Sequence, residues 1–268
     1  MNDRSKNKTI LGVERSTLAY SEGLRTYMLG VYNYMALALG VTGGVALLVV
    51  SSPALFHALQ PFMLLFILAP VALVFFLSFR INAIQYSTAQ TLFWLYAALN
   101  GVAFSVIFAV YTYESIARVF FITAGMFAAM SLYGYTTKKD LTAWGSFLFM
   151  GLIGIIIASL ANLFIASSML QFLVSIAGVI IFTGLTAYDT QNIKDTYVEG
   201  SSTEVAGKRA IFGALRLYLD FINLFLMMLR LLRLFLILVL LLLLPLLLVP
   251  YLLRGIRQYL SRLRPRHL

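Results

Sequence analysis

The chain has 268 residues, 61% of them hydrophobic and 11% charged, and a net charge of +10. A soluble domain is about 45–50% apolar; here the excess sits in long uncharged blocks, which excludes an ordinary soluble core and indicates an all-α, polytopic membrane protein. The blocks are continuous and do not alternate, which excludes a β-barrel; cysteine is absent, which excludes disulfides and thiolate metal sites.

Residues 1–27 are polar and carry Arg4, Lys6, Lys8, Arg15 and Arg25. No short apolar region with a small-residue cleavage site follows this basic head, so it is read as a retained cytoplasmic segment and the first span as its own insertion signal. Seven apolar blocks make a transmembrane domain over residues 28–233. They are expected near Met28–Val50, Phe62–Phe79, Leu92–Tyr111, Val119–Leu132, Trp144–Ile165, Phe172–Tyr188 and Leu215–Leu229. The small-residue runs "GVTGG" at Gly40–Gly44 and "GLIG" at Gly151–Gly154 are expected to be helix-packing faces. Trp94, Trp144 and many tyrosines near the span ends read as interfacial aromatics. No internal repeat is visible.

The N-terminal segment and the connections after spans two, four and six together hold eleven basic residues, among them Arg80, Lys138, Lys139, Lys194, Lys208 and Arg209. The opposite side has Arg118, with Arg230 and Arg233 at the end of span seven. By the positive-inside rule the N-terminus is expected in the cytoplasm, so the positive charge is a topology signal and not a nucleic-acid footprint. Residues 234–268 form a Leu-rich tail with Pro245 and Pro250 and five arginines from Arg254 to Arg266. Its apolar part is long enough for an eighth span or a re-entrant segment, the reading preferred to a continuous protruding helix, with an appended tail as a further alternative, although no turn residues set it off from span seven.

Two carboxylates interrupt this pattern: Asp189 in "IIFTGLTAYDTQNI" and Asp220 in "LRLYLDFINLFLMMLRLL". An ionised Asp at a helix centre costs about 2.5–3.5 kcal/mol on insertion scales, and such groups usually face the bundle interior and find partners. Asp189 ends span six at its inner boundary, Asp220 enters on span seven at a comparable depth, and Arg80 ends span two on the same side. Three helices thus bring ionisable groups to one level. Two carboxyls that approach each other do not both ionise easily; they share a proton and titrate as a unit. A nearby Arg80 favours the ionised forms and can exchange partners as the pair deprotonates. Ionised, the two aspartates with Tyr188, Thr186, Asn223 or backbone carbonyls offer at best a weak Ca²⁺ site, which suits an ion that must also leave. The plainer readings are a solvated helix end for Asp189 and a structural ion pair of Asp220 with Arg80 or Arg216. Glu114 reads as a solvated loop charge.

The segments "GLTAYDTQNIK" and "LYLDFINLFLMMLR", with "GLRTYMLGVYNYMALALGVTG" and "MSLYGYTTKKDLTAWGSFLFMGLIG", resemble the transmembrane Bax-inhibitor-motif (Bax inhibitor-1) family in its bacterial branch, over roughly residues 20 to 232. The resemblance implies seven helices with a central one wrapped by the others. It also implies a pH-sensitive Ca²⁺ leak governed by a hydrogen-bonded aspartate pair, here Asp189 and Asp220, with Arg80 as the latch partner. It implies a bacterial inner-membrane protein and leaves a membrane-protease partner open. "FMLLFILAPVALVFF" lacks the acidic residue that some members carry in span two, and the tail beyond about Leu232 departs from the family pattern.

No enzyme is expected. The position around Asp220 reads "LYLD", without the Gly-x-Gly-Asp and Pro-Ala-Leu motifs of intramembrane aspartyl proteases. There is no G-x-S-x-G, and His57 and His267 lie far apart outside any H-E-x-x-H context. No resident cofactor is expected; Ca²⁺ and protons are the permeant or titrating species. Beside the leak stand a non-conducting regulator of a membrane protein and a proton-coupled cation exchanger.

Overall fold

The computed structural model describes the backbone of residues 3–81 and 83–263 and the side chains of residues 20–81 and 83–234. Its elements are α1 (Asp3–Ser51), α2 (Pro53–Leu59), a 3₁₀ turn (Gln60–Phe62), α3 (Met63–Arg80), α4 (Tyr86–Phe104), α5 (Ile107–Val110), α6 (Tyr113–Thr136), α7 (Thr142–Ile165), α8 (Ser168–Asp195) and α9 (Thr203–Leu263). Among the described residues seven stretches are long and apolar enough to span a bilayer: 20–51, 53–80, 86–110, 113–136, 142–165, 168–195 and 203–234. Six of them contain one of the blocks expected from sequence and extend it at one or both ends; the third, 86–110, starts six residues before its block and ends one residue short of Tyr111. Many of the added residues are polar or aromatic, as in 86–91 and 189–195, and remain helical at the ends of the apolar blocks.

The breaks between helices follow local chemistry. Thr112 Oγ1 accepts the Ser115 N–H at 3.2 Å to start α6, and Ser167 Oγ accepts the Leu170 N–H at 3.3 Å to start α8. Each is an N-cap that satisfies an amide the helix leaves without a partner. Between α7 and α8, Ala166 takes a left-handed conformation (φ 52°) and the Ser167 N–H donates to Asn162 Oδ1 at 3.0 Å. A tight turn there reverses the chain with few exposed backbone groups, as a membrane boundary requires.

The centre of the bundle is α9. Of its spanning window 67% is buried, against 33% or less for the other six, and it packs against α1, α4, α6 and α8. Tyr218 is fully buried at this centre; its hydroxyl lies 2.7 Å from Thr42 Oγ1, which donates to the Ala97 carbonyl at 2.9 Å. One hydroxyl pair thus ties α9, α1 and α4. By contrast α3, packed on α4, and α7, packed on α8, turn large apolar side chains outward, including Leu64, Phe79 and Phe164. Those faces suit lipid contact.

Two expectations are corrected. Gly40, Gly43 and Gly44 have open space where a Cβ would stand, so "GVTGG" is not the close-packed face; the close approaches fall elsewhere, at Gly101 and Gly178 among others. Gly151 does pack closely, against Ile181. The backbone of α9 runs without a turn to Leu263, so the tail is not separated from span seven as an eighth span or a re-entrant loop. Leucine continues a helix readily, and no glycine or polar turn interrupts the run between Arg233 and Arg254. The tail's side chains lie outside the described residues.

Candidate functional site

The polar run that ends α8, "DTQNIK", places successive side chains in different directions round the helix, and each meets a different neighbour. Thr190 Oγ1 lies 2.9 Å from Ser131 Oγ of α6, which is itself 2.6 Å from the Tyr32 hydroxyl of α1. Gln191 accepts the Leu141 N–H and donates to the Lys139 carbonyl, both at 2.8 Å, which fixes the α6–α7 connection. Lys194 Nζ donates to the Tyr135 carbonyl at 3.1 Å. In that connection, outside the spans, Asp140 Oδ1 accepts the Thr142 N–H at 2.8 Å, and hydrogen bonds from Thr142 hold the Asp140 carboxyl below its ordinary range. Asp189 and Asn192 face α9.

Two glycines bring the helices close enough for this. A Cβ on Gly134 of α6 would overlap the Ala187 carbonyl of α8, and one on Gly145 of α7 would overlap the Tyr188 ring. Small residues at these crossings let α6 and α7 close on α8 immediately before Asp189.

Across from Asp189, α9 presents Arg216 and Asp220 four residues apart, hence one above the other on the same face. Arg216 holds both carboxylate oxygens of Asp189. Its Nη2 donates to Oδ1 and its Nε to Oδ2 at 3.3 Å, while its Nη1 donates to Asn192 Oδ1. The planar guanidinium suits such a two-oxygen grip. Asp220 is 4% exposed, and its Oδ2 is buried without a hydrogen-bond donor. The two carboxyls, on facing sides of α8 and α9, line one cavity. A hydrogen bond between carboxyls requires one proton on the pair, and that proton would satisfy the orphan oxygen of Asp220.

The cluster opens into a cavity of about 800 Å³ between α7 on one side and α8 and α9 on the other. Four charged residues line it: Asp189, Arg216, Asp220 and Arg230. Of the accessory groups expected from sequence, Tyr188 and Asn223 line the cavity, with Asn223 Nδ2 donating to the Leu219 carbonyl at 2.8 Å. Thr186 does not line it: it is fully buried and its hydroxyl donates to the Phe182 carbonyl of its own helix.

Arg80 is a correction. It ends α3, a helix whose principal partner is α4, and its side chain is exposed and forms no ion pair among the described residues. The guanidinium that meets Asp189 is that of Arg216. Asn192 and Arg230 are site residues that sequence reasoning missed. A signal existed for Asn192, since four consecutive polar residues following an apolar run are more than a helix end needs. For Arg230 the signal was read only as topology.

Among the described residues no group of three or more His, Cys, Asp or Glu could hold a metal ion. With Arg216 occupying Asp189, a cation entering the cavity meets only Asp220 as a free carboxylate.

The profile of the family described as "Inhibitor of apoptosis-promoting Bax1" matches residues 24–236 of this chain. An uncharacterised protein of Rickettsia prowazekii is 50% identical over 230 residues, which cover 84% of this chain and 92% of the relative. The inner membrane protein YbhL of Escherichia coli is 49% identical over 214 residues, 78% of this chain and 92% of the relative. An uncharacterised protein of Borreliella burgdorferi is 46% identical over 231 residues, 86% and 97% of the two chains. With its seven apolar helices and a match over four fifths of its length, this chain is a membrane protein that belongs to the Bax inhibitor-1 family.

Proposed function

We propose that this protein is a passive, pH-sensitive cation leak, with Ca²⁺ as the permeant ion and Asp189–Asp220 as its gate. The observation that carries the reading is the pair itself: two carboxyls on adjacent helices that line one cavity between α7 and α8–α9. Ionisable groups at such depth are costly to insert, and those that persist usually mark ion or proton pathways. The resting state is the latched one, with Arg216 on Asp189 and one proton on the pair. Opening requires that the guanidinium swing away or the proton move, which bares carboxylate oxygens to a cation. A cation held by so few ligands leaves readily, as conduction needs.

The charge asymmetry of the connections supports an orientation with the N-terminus and the Asp189 end of the bundle on the cytoplasmic side. YbhL supports a bacterial inner membrane as the location. No bond-making chemistry is assigned, and Ca²⁺ is cargo and not a resident cofactor.

The test is Ca²⁺ entry into dye-loaded liposomes holding the purified protein, scanned from acid to neutral pH, for wild type, Asp189→Asn and Asp220→Asn. Flux whose pH profile flattens in either variant supports the gated leak. No flux above empty liposomes at any pH sinks it and favours a non-conducting regulator. Flux that follows the proton gradient, and not the pH at the gate, favours an exchanger.

A further inference from the structure

The fourth charge in the cavity has no role in the latch. Arg230 lies ten residues beyond Asp220 on α9, about 15 Å along the helix axis, and it lines the same cavity. Its depth follows from the register of α8 against α9. Close contacts pair Ile193 with Gly213, Asp189 with Arg216, and Gly178 with Met227. Arg230, three residues past Met227, therefore stands opposite a level near Ser175. That is about 10 Å inside the Ser168 end of α8, within the spanning segment and not beyond it.

A charge at that depth usually pairs with an acid. Arg230 does not: it makes no ion pair and no hydrogen bond among the described residues. Glu114, the acid at the start of α6 on this side of the bundle, is held by Arg118 at 2.7 Å, and both are exposed. Within the cavity, Asp189 and Arg216 cancel. An ion entering from the Arg230 end thus meets an uncompensated positive charge before it reaches Asp220.

We infer that Arg230 is the electrostatic barrier of this path, a specificity-determining residue that opposes cations in proportion to their valence from the end opposite the aspartate latch. The inference rests on the leak reading and deepens it. The physics makes it sharp. The work of bringing an ion past a fixed charge scales with the ion's own charge, and it is largest where water is scarce. A barrier that slows K⁺ by some factor slows Ca²⁺ by about the square of that factor. Both factors are lost together when the fixed charge is removed.

The experiment compares K⁺ and Ca²⁺ permeation in proteoliposomes for wild type, Arg230→Gln, Arg230→Lys and Arg230→Glu, with protein amount and thermal midpoint checked for each. Arg230→Gln is expected to raise Ca²⁺ flux roughly tenfold and K⁺ flux roughly threefold, the ratio set by valence. Arg230→Lys keeps the charge and stays near wild type; Arg230→Glu exceeds Arg230→Gln. A purely structural role for Arg230 would leave K⁺ and Ca²⁺ changing alike, or would spare no variant, and either result overturns the barrier. Wild-type flux that all three variants leave unchanged does so too, while the leak stands. Absence of flux from wild type and every variant overturns the leak and the barrier together.

Discussion

Two helices, α3 and α9, both carry an arginine beside a long apolar run, and the arginines have opposite fates. In α3 only 11% of the spanning window is buried, and Arg80 at its end is exposed. In α9 the figure is 67%, and Arg216 is drawn onto Asp189 and Asn192. The residue type is the same and so is its position near a membrane boundary. What differs is whether the helix is wrapped. A peripheral helix lets a guanidinium turn towards the polar interface, whereas a central helix turns it onto a neighbour's polar groups, as with Arg216, or into the cavity, as with Arg230.

That contrast is broken most directly at Arg216. Arg216→Gln should strip Asp189 of its cationic partner, and leaving one member of a buried pair uncompensated costs about 3 kcal/mol. A large drop in the thermal midpoint of detergent-solubilised protein, together with Ca²⁺ flux no longer held closed, is the expected outcome. Unchanged stability would mean the grip on Asp189 is incidental.

Next in size is Gly134→Leu. The Ala187 carbonyl occupies the space the new side chain needs, and overpacking of this kind costs about 1–3 kcal/mol. Because backbone carbonyl cannot yield as a side chain can, α6 must move off α8, and flux gating should change along with stability. The matched control is Gly44→Ala in α1, where open space predicts no loss.

Smaller still is Tyr218→Phe, which removes the hydroxyl that faces Thr42 at the bundle centre. Thr42 keeps its bond to the Ala97 carbonyl, so the loss should stay near the roughly 0.6 kcal/mol typical of single hydrogen bonds between membrane helices. Calorimetry or denaturant titration resolves it, and flux should be untouched. Arg80→Gln closes the series: an exposed side chain without an ion pair predicts a change within about 0.5 kcal/mol and an unaltered pH profile. A flattened profile in that variant would restore Arg80 to the latch and remove the contrast between the two helices.

Much of this molecule was legible in its residues. All seven spans were, because hydropathy sums over a single helix and needs no knowledge of its neighbours. That Asp189 and Asp220 face inward was legible as well, since a carboxylate exposed to lipid is too costly to retain. The glycine faces were read less well. "GVTGG" has the small-residue pattern, yet α1 meets open space there, while the isolated Gly134 and Gly145 make the close crossings. A pattern of small residues permits close approach, but only a partner helix aimed at it creates one.

The sequence by itself therefore determined an all-α membrane protein, its seven crossings, and two acids at comparable depth. Tertiary structure decided which helix is central, which arginine meets the acids, and that Arg230 shares their cavity. The reason is geometric. Depth in the bilayer is a property of position along one helix, at 1.5 Å per residue, and so is encoded locally. Azimuth, the direction a side chain points round that helix, acquires meaning only from contacts between residues far apart in the chain, such as Gly134 with Ala187, Gly145 with Tyr188 and Gly178 with Met227.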